Sequence, residues 1–219
     1  MYHLRMMSIM RNVSKRRVDL KQKSLDRILD AGARRMRTEG LDRAAIVPVM
    51  QDAGLTHGAF YSHFSSKDDL AVAAFVHAIT EGRPRWTKTS GEATWGQRLK
   101  RLAKRYLTRS HRDDLAGSCA FVALSTDAAR ANPQFREAYE EELRHTLAAI
   151  CEPFKESATN TQRTDEATAL MALCVGGISL SRAVNDEAFS ARILRICQKA
   201  VATLADASDA AHTQKRGSK

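Results

Sequence analysis

The sequence predicts an all-α protein of about nine helices, and three observations support this fold class. Glycine and proline are scarce, with 11 and 4 in 219 residues, which disfavours a sandwich of many short strands and frequent turns. No stretch shows a convincing alternation of apolar and polar residues. Apolar residues instead recur at a helical period, as in the stripe Leu25, Ile28, Leu29, Ala33 and Met36.

The N-terminal third is expected to hold three helices and the start of a longer fourth one. Gly40 and Gly54 separate the first three, because glycine ends helices and can adopt the positive φ of a sharp turn. Thr56 stands at an N-cap position. Pro84 and the loop 87–91 mark the break before the next group of helices. The expected ranges are 17–37, 42–53, 56–63 and 66–82.

Five longer helices are expected after this break, at 94–110, 118–131, 133–156, 164–184 and 186–204. Asn132 as cap and Pro133 at the first helical position indicate where the third of them begins. The most apolar stretch covers only 169–178, whereas about 18 residues are needed to span a bilayer. The first ten residues lack the apolar core of a signal peptide. We therefore expect a cytoplasmic protein that does not act at a membrane.

The net charge of +10 is concentrated near the N-terminus. Residues 1–43 carry 12 basic and 5 acidic side chains, and the rest of the chain is nearly balanced. Such a basic terminus more often binds a polyanion, either nucleic acid or an anionic membrane. We expect a basic, flexible arm at 1–14 and a flexible tail at 207–219, because both ends are polar.

The four cysteines do not form a metal-binding or redox pattern. They stand at 119, 151, 174 and 197, and no CxxC pair occurs among them. A small secreted domain stabilised by disulfides would have a denser framework. We therefore expect reduced thiols, no metal and no cofactor.

Residues 24–70 have the layout of a helix-turn-helix. In such a unit the first short helix supports the second, which enters the major groove of DNA. Gly54 suits the turn between them, and Leu55 can pack back between the helices. Gly58 and Ala59 are small, which permits close approach to the supporting helix or to DNA. Pro48 predicts a kink or a late start of the first short helix, because an interior proline costs about 3 kcal/mol.

The segment from Gly54 to Leu70, GLTHGAFYSHFSSKDDL, resembles the signature of the TetR family of bacterial transcriptional regulators. The preceding stretch, GLDRAAI from Gly40, extends the resemblance, which covers about 50 residues. It implies a helix-turn-helix domain at 15–66, followed by a ligand-binding and dimerisation bundle at 67–206. It also implies a homodimer that binds a near-palindromic double-stranded DNA operator and responds to a small-molecule effector. Repression is the commoner mode in the family.

The resemblance also implies roles for single residues of the segment 45–64 and its flanks. Thr56 and Tyr61 resemble phosphate contacts, and Lys67 resembles a phosphate clamp. Phe60 and Phe64 are interpreted as core. The family often has Thr or Ser where Ala44 and Ala45 stand, so the phosphate contact near Ala45 is weakened. The predicted DNA-binding set is Arg43, Ala45, Thr56, His57, Gly58, Tyr61, Ser62, His63 and Lys67, with Lys15, Arg16, Arg17 and Lys21 adding general attraction.

Two sites are predicted in the bundle. Gly176 and Gly177 lie in an apolar helix, where small residues permit close helix contact, so the last two helices are assigned to a dimer interface. Intrachain packing is the alternative for these glycines. The predicted interface comprises Gly176, Gly177, Leu180, Ile193, Cys197 and Leu204. The predicted pocket for an apolar or aromatic ligand comprises Phe75, Trp95, Tyr106, Cys119, Tyr139 and Met171, for each of which a plain core position is the alternative.

Cys119 carries a further hypothesis. It follows Gly117 and Ser118 at an expected helix start, where backbone N–H groups lower a thiol pKa. The segment from Gly117 to Leu124 resembles a stretch in family members that sense electrophiles or oxidants. A buried, inert cysteine is the alternative, because free cysteine is among the most buried residues.

Two other classes of function remain open at this point. An enzyme is disfavoured because no nucleophile elbow, HExxH motif or phosphate-binding glycine-rich loop occurs. A membrane-surface or sequence-independent nucleic-acid binder would explain the basic terminus but not the segment 54–70. Binding that survives scrambling of the DNA sequence would favour that second class.

Overall fold

The computed structural model describes residues 2–88, 91–154 and 160–217, which form ten α-helices. Within these ranges no strand occurs, and the predicted all-α class is confirmed. A short 3-10 helix, Glu152–Phe154, follows the eighth helix. The helices are α1 Tyr2–Glu39, α2 Ile46–Asp52, α3 His57–Phe60, α4 Lys67–Thr87, α5 Trp95–Tyr106, α6 Arg109–Asp113, α7 Ala120–Ala128, α8 Pro133–Cys151, α9 Asn160–Ala183 and α10 Glu187–Gly217.

The first four helices surround a small apolar core. Helix α1 packs along α4, and α2 with α3 closes one end of this pair. The buried face of α1 is the stripe expected from the sequence, with Ile28 and Met36 almost inaccessible to solvent. Phe60 from α3 and Phe64 after it are buried in the same core, as predicted. Burial of such side chains stabilises the unit by about 1.5–3 kcal/mol each.

The remaining helices form a bundle that shares α4 with the first unit. Helix α4 packs on α1 and also on α8, and α10 packs on α5 and α9. Helix α7 contacts both α1 and α9, so it joins the two parts of the molecule. The bundle core includes a cluster of aromatic rings in which Phe75 stacks on Tyr139 at a centroid distance of 5.4 Å.

Both ends of the chain are helical beyond the predicted limits. Helix α1 begins at Tyr2 rather than at residue 17, because residues 2–16 contain neither glycine nor proline. Helix α10 continues to Gly217, through an alanine-rich stretch that also lacks both residues. Residues 2–14 and 207–217, where a flexible arm and a flexible tail are expected, are therefore helical in the structure.

Helix α4 continues past Pro84, where the sequence predicts a break. Its last carbonyl groups are bound by arginines of α5. Arg98 donates to the carbonyl of Thr87 at 2.9 Å, and Arg105 donates to that of Arg85 at 3.1 Å. These bonds satisfy terminal carbonyl groups that have no partner within the helix. Thr89 and Ser90 of the predicted loop lie outside the described residues.

Several predicted helices are shorter or divided. The ranges 56–63 and 118–131 are helical only over His57–Phe60 and Ala120–Ala128. The range 94–110 contains α5 and α6, because Leu107 leaves helical geometry and Thr108 caps the new helix by accepting from the N–H of His111 at 3.1 Å. The range 133–156 ends as an α-helix at Cys151, since Pro153 cannot donate to the helical ladder. The prediction of about nine helices is one short of the ten in the described ranges.

Arg98 is the largest of the fully buried side chains. Besides Thr87 it binds the carbonyl of Ile150 at 2.5 Å through Nε and that of Ala149 at 3.2 Å through Nη2. It therefore connects the C-terminal ends of α4 and α8 from within α5. Burial lowers the pKa of its guanidinium group. The group stays protonated, because the ordinary value is far above neutrality.

Among the described residues, none of the helices combines the length and apolar character needed to cross a bilayer. The same residues contain no group of three or more His, Cys, Asp or Glu side chains suited to hold a metal ion.

Candidate functional sites

The first candidate site is the exposed surface of α3 and the residues on either side of it. Thr56 is the N-cap of α3, and its side chain makes no capping hydrogen bond, so its hydroxyl group is not engaged with the helix. His57 and Gly58 are exposed, and Tyr61 is 64% exposed. An aromatic ring with this exposure, one residue after the buried Phe60, is available for contact with a partner.

The turn between α2 and α3 has the geometry expected of Gly54. Its φ is +63°, in the left-handed region that favours glycine. Its carbonyl accepts from Arg27 Nη2 at 3.3 Å, and a Cβ here would lie 2.5 Å from that nitrogen. Leu55 donates its N–H to the carbonyl of Met50 at 2.9 Å and packs on the core. The turn therefore fixes the angle of α3 against α1 and α2.

Helix α2 begins at Ile46, with Ala45 as its N-cap, so the predicted late start is confirmed. Pro48 is then the third residue of the helix. The N–H groups of the first turn have no partner within the helix, so the missing donor of Pro48 breaks no hydrogen bond. Ala44 is buried and Ala45 is exposed. Neither carries the hydroxyl group that would cap α2 or bind a phosphate.

Gly58 faces open space, since a Cβ built on it would have no atom within 4 Å apart from its own neighbours and helix backbone. Its small size is thus unnecessary for packing of α3 against α2. Room on the outer side of α3 allows its backbone to approach a partner closely. Of the two possibilities that the sequence leaves for Gly58, the structure favours approach to a partner.

Three residues of the predicted DNA-binding set bind other parts of the protein. His63 Nε2 lies 2.9 Å from Ser24 Oγ of α1, and burial lowers the pKa of this histidine. Lys67 Nζ donates to the carbonyl of Asp42 at 2.7 Å. The Ser62 hydroxyl donates to the carbonyl of Ala59 at 2.7 Å.

Basic side chains of α1 and of the α1–α2 loop are exposed in the same N-terminal unit as α3. Arg43, before α2, is exposed, as are Arg16, Arg17 and Lys21 on α1. The side chain of Lys15 lies outside the described residues. Exposed cations beside a helix-turn-helix suit electrostatic attraction to phosphates that does not depend on sequence.

The second candidate site is a cavity of about 270 Å³ in the bundle that is partly open to solvent. Its walls come from α1, α4, α5, α7, α8, α9 and the segment before α7. Three of the six predicted pocket residues line it: Tyr106, Cys119 and Met171. Apolar lining from Ile150 and Leu170 makes it suited to an organic molecule.

The other three predicted pocket residues lie elsewhere. Phe75 and Tyr139 stack on each other in the aromatic cluster, and burial raises the pKa of Tyr139 to about 12. Trp95 donates from Nε1 to Glu166 Oε2 at 2.5 Å, and its ring packs edge-on against Phe154. These side chains belong to the core, which is the alternative that the sequence leaves for each of them.

Several cavity residues are not predicted from the sequence. Arg37 of α1 and Trp86 of α4 line the cavity, and so does Arg85. The guanidinium carbon of Arg85 lies 4.7 Å from the centroid of the Trp86 ring. Trp86 falls in the stretch expected to be a break, and Arg37 falls in the expected DNA-binding domain. Their position depends on the packing of α1 and α4, which no local pattern shows.

Cys119 is buried at the N-cap of α7. Burial raises the pKa of its thiol above the ordinary value, although the Tyr106 hydroxyl and two backbone N–H groups favour the thiolate. The thiol is therefore protonated at neutral pH. The described cysteines, 119, 151, 174 and 197, are all free.

His111 organises the wall behind Cys119. Its Nδ1 donates to the carbonyl of Tyr106 at 2.8 Å, which leaves Nε2 as an acceptor. That atom accepts from the backbone N–H of Cys119 at 3.2 Å and lies 3.3 Å from the Ser118 hydroxyl. Burial lowers the pKa of His111 to about 4. The ring is neutral at pH 7 and stacks on Trp86 at a centroid distance of 4.2 Å.

The residues predicted for a dimer interface divide into two groups. A Cβ on Gly177 would lie 2.8 Å from Leu107 and 3.0 Å from Cys197, so Gly177 and Cys197 serve packing within the chain. A Cβ on Gly176 would meet nothing within 4 Å. Leu180 is 60% exposed, and Ile193 and Leu204 are half-buried.

Two further apolar residues widen the exposed surface of α10. Phe189 and Ile196 are 51% and 54% exposed. With Ile193 they follow the spacing i, i+4, i+7 and share one face of the helix. Leu180 and Gly176 lie on the neighbouring helix α9, which packs on α10. We call these five residues the α9–α10 face.

Family models match two parts of the chain. A model described as bacterial regulatory proteins of the tetR family matches residues 28–74, and a model of a tetracyclin repressor-like C-terminal domain matches 96–197. The first match contains the α3 surface and Arg37. The second contains most of the bundle, including the cavity residues of α5, α7, α8 and α9. No curated protein sequence matches the chain.

Solved structures of regulators share the fold. A TetR transcriptional regulator from Chloroflexus aurantiacus is 22% identical, with 84% of this chain and 95% of that chain covered at a TM-score of 0.66. A TetR family regulator from Cytophaga hutchinsonii is 20% identical, with 84% and 95% covered at 0.62. The reduced form of E. coli NemR is 19% identical, with 81% and 95% covered at 0.66.

Proposed function

Since this chain belongs to the TetR family, we propose that it is a transcriptional repressor that binds an operator as a homodimer and is released by a small molecule. The observation that carries the DNA-binding part is the exposed surface of α3. Four side chains or backbone positions are accessible there: Thr56, His57, Gly58 and Tyr61. The core of the unit is filled by other residues, such as Phe60 and Phe64. A cavity in the bundle with a wall from α1 supports control by an effector.

The contacts with DNA divide into phosphate binding and base reading. Thr56 offers a hydroxyl group and the free N–H groups at the start of α3, which suit a phosphate. Tyr61 and Arg43 suit the backbone as well, and His57 lies on the outer side of α3, where it reaches base edges. His63 and Lys67 hold α1 and the α1–α2 loop in place, and we assign them a supporting role.

The dimer is proposed to form through the α9–α10 face. Large apolar side chains at Leu180, Phe189 and Ile196 are exposed on two helices that pack together, which suits a protein–protein interface. A two-fold axis through this face would relate two copies of α3, as a near-palindromic operator requires. Half-sites would then lie about 34–36 Å apart or at a multiple of this distance.

In vitro selection from random duplex DNA tests the DNA-binding proposal without knowledge of the operator. We expect enrichment of a sequence with two-fold symmetry. Fluorescence anisotropy at about 150 mM salt should then show competition-resistant binding that Tyr61→Ala weakens strongly. His145→Ala, an exposed ring on α8, is the matched control and should leave the affinity unchanged. Selection that yields no preferred sequence would contradict the proposal.

Oligomeric state is a separate measurement. Sedimentation at micromolar concentration should give a dimer for the natural chain and a monomer for Ile196→Glu. Arg144→Glu, a highly exposed position on α8, should stay dimeric. A monomeric natural chain would rule out the dimer.

A thiol-reactive effector is a second candidate, because Cys119 lines the cavity. The raised pKa of its thiol disfavours this chemistry, since the thiolate is the nucleophile. We therefore propose reversible binding as the main mode of release. Operator binding that is unchanged after alkylation by N-ethylmaleimide would exclude the thiol-reactive candidate, and loss that Cys119→Ser prevents would establish it.

A further inference from the structure

The charged groups around the cavity differ in how far other protein groups satisfy their hydrogen bonding. Asp30 Oδ1 is bound to His77 Nε2 at 2.8 Å. Arg83 forms an ion pair with Glu142 and donates to Thr146 Oγ1 at 3.2 Å. Asp30, His77, Arg83 and Glu142 therefore have hydrogen-bond or ion-pair partners within the protein. They have few donors or acceptors left to bind a ligand.

Arg37 differs from the other charged groups inside the cavity. It is half-buried in the last turn of α1, and its Nε donates to the carbonyl of Ala116 at 2.5 Å. Its terminal nitrogens, Nη1 and Nη2, have no hydrogen-bond partner among the described residues. A guanidinium group that is partly removed from water and has two free N–H edges is well suited to bind a carboxylate.

The hydroxyl group of Tyr106 is a second polar atom that is poorly satisfied. Tyr106 lines the cavity and is 4% exposed, and its buried hydroxyl oxygen has no nitrogen or oxygen partner among the described residues. The adjacent polar group is the Cys119 thiol, which is a weak acceptor. A buried donor left in this state is unfavourable, and an acceptor atom on a ligand would remove that cost.

The rest of the lining suits an aromatic ring. Trp86, Phe121 and Met171 supply flat or polarisable surface beside the two polar groups. The uncommitted acid of the lining is Glu81, which is exposed on α4, as is Arg85. The charges of Glu81 and Arg85 are of opposite sign, so together they do not reverse the preference for an anion that Arg37 creates in the cavity.

We propose that the effector is an aromatic molecule with one carboxylate or similar anionic group, and that Arg37 binds this anion while Tyr106 donates to a polar atom of the same ligand. This rests on the proposed function of the cavity as the effector site. Arg37 belongs to α1, so the ligand anion binds directly to the helix that supports the DNA-binding unit. Binding of the anion would compete for or reorient the Arg37–Ala116 contact, which joins α1 to the bundle.

Fluorescence of Trp86 tests the ligand class without DNA. The chain has two tryptophans, and Trp95→Phe leaves only the one that lines the cavity. The probes share a ring system and differ in charge: 1-naphthoate, 1-naphthamide and 1-naphthylmethylammonium. We expect saturable quenching by 1-naphthoate at concentrations at least tenfold lower than by the other two. Equal quenching by all three, or none by 1-naphthoate at 1 mM, would overturn the proposal.

Variants then locate the anion. In the Trp95→Phe background, Arg37→Gln should weaken 1-naphthoate binding about tenfold or more and leave 1-naphthamide unaffected, because a charge-assisted contact is lost. Arg37→Lys should recover part of the affinity, and Tyr106→Phe should weaken binding of both. Arg144→Gln, far from the cavity, is the control. Equal affinities in Arg37→Gln and Arg144→Gln would place the anion elsewhere and overturn the assignment to Arg37.

Circular dichroism and the unfolding midpoint of each variant confirm that it is folded before titration. Operator release is measured separately by anisotropy. Binding of 1-naphthoate without operator release would support the ligand class and contradict effector control. Sequence-specific operator binding without any binding of 1-naphthoate would support the DNA-binding function and contradict the ligand class.

Discussion

The carboxylate of Asp127 in α7 accepts a hydrogen bond from the backbone N–H of Leu41, which follows α1, at 2.9 Å. Helix α7 begins at the cavity wall with Cys119 as its cap, and Asp127 lies in its last turn. Gly40 has a φ of +88°, and a Cβ built on it would lie 3.2 Å from Asp127 Oδ2. One short helix therefore joins the cavity to the loop between α1 and α2.

Loss of this link should loosen the loop. In Asp127→Ala the partly buried N–H of Leu41 has no partner, so the free energy of unfolding should fall by about 1–2 kcal/mol. Hydrogen exchange at the Leu41 amide should become faster. Asp127→Asn keeps an acceptor oxygen and should retain most of the protection. An exchange rate in Asp127→Ala equal to that of the natural chain would show that the carboxylate does not hold the loop.

The pH dependence of stability should carry a contribution from His111. Its folded pKa is about 4, below the ordinary value of 6.5, because burial disfavours the charged ring. As pH falls from about 6.5 towards 4, His111 of the unfolded chain binds a proton that His111 of the folded chain does not. The free energy of unfolding should therefore decrease by up to about 1.4 kcal/mol per pH unit on account of this residue.

Urea unfolding at pH 7, 6 and 5 measures this contribution. His111→Gln should show a shallower decrease than the natural chain, since the titrating ring is gone. His145→Gln, exposed on α8, should keep the natural slope. A natural slope in His111→Gln would mean that His111 does not cause the acid sensitivity.

The adjacent glycines of α9 should respond oppositely to alanine. In Gly177→Ala the new methyl group meets Leu107 and Cys197, and we expect a loss of about 1–3 kcal/mol in the free energy of unfolding. In Gly176→Ala the methyl group enters open space, and the better helix propensity should add about 0.5–1 kcal/mol. Thermal unfolding below the dimer dissociation constant separates the two effects from dimerisation. Destabilisation of similar size at both positions would disprove this assignment.

Replacement of Arg98 should be severe. Arg98→Met fits the same space but leaves carbonyl groups of Thr87, Ala149 and Ile150 without their donors. We expect a loss of about 3 kcal/mol or more in the free energy of unfolding. Arg144→Met, whose arginine is 75% exposed, should change stability by less than about 0.5 kcal/mol. The difference can be read from urea unfolding curves of the two variants.

The local features of the α3 surface are predictable from the sequence because each follows from backbone chemistry. The positive φ of Gly54, the late start of α2 before Pro48 and the burial of Phe60 beside the exposed Tyr61 all have short-range causes. The supporting contacts of His63 and Lys67 do not. Both depend on how close α1 and the loop before α2 come to α3 and α4, which the order of residues along the chain does not reveal.

The cavity is less predictable for a related reason. An apolar residue facing a cavity and one facing a packed core have the same periodicity, so the pattern cannot separate Met171 from Phe75. The wall contributed by Arg37 depends on the angle between α1 and the bundle. Helix propensity also explains why the sequence does not predict the helical structure of residues 2–14 and 207–217. Polar residues without glycine or proline continue a helix as readily as they form a flexible end.

The continuous helix α1 has a mechanical consequence. At about 1.5 Å per residue, its 38 residues extend for about 57 Å, and Arg17 lies about 30 Å from Arg37 along the axis. A tilt of about 5° with its fulcrum at Arg37 would displace Arg17 by about 2.6 Å. That distance is enough to break a phosphate contact of ordinary length. Under the proposed function, α1 would therefore act as a lever, because a small tilt at the cavity becomes a displacement of Arg17 large enough to release a phosphate.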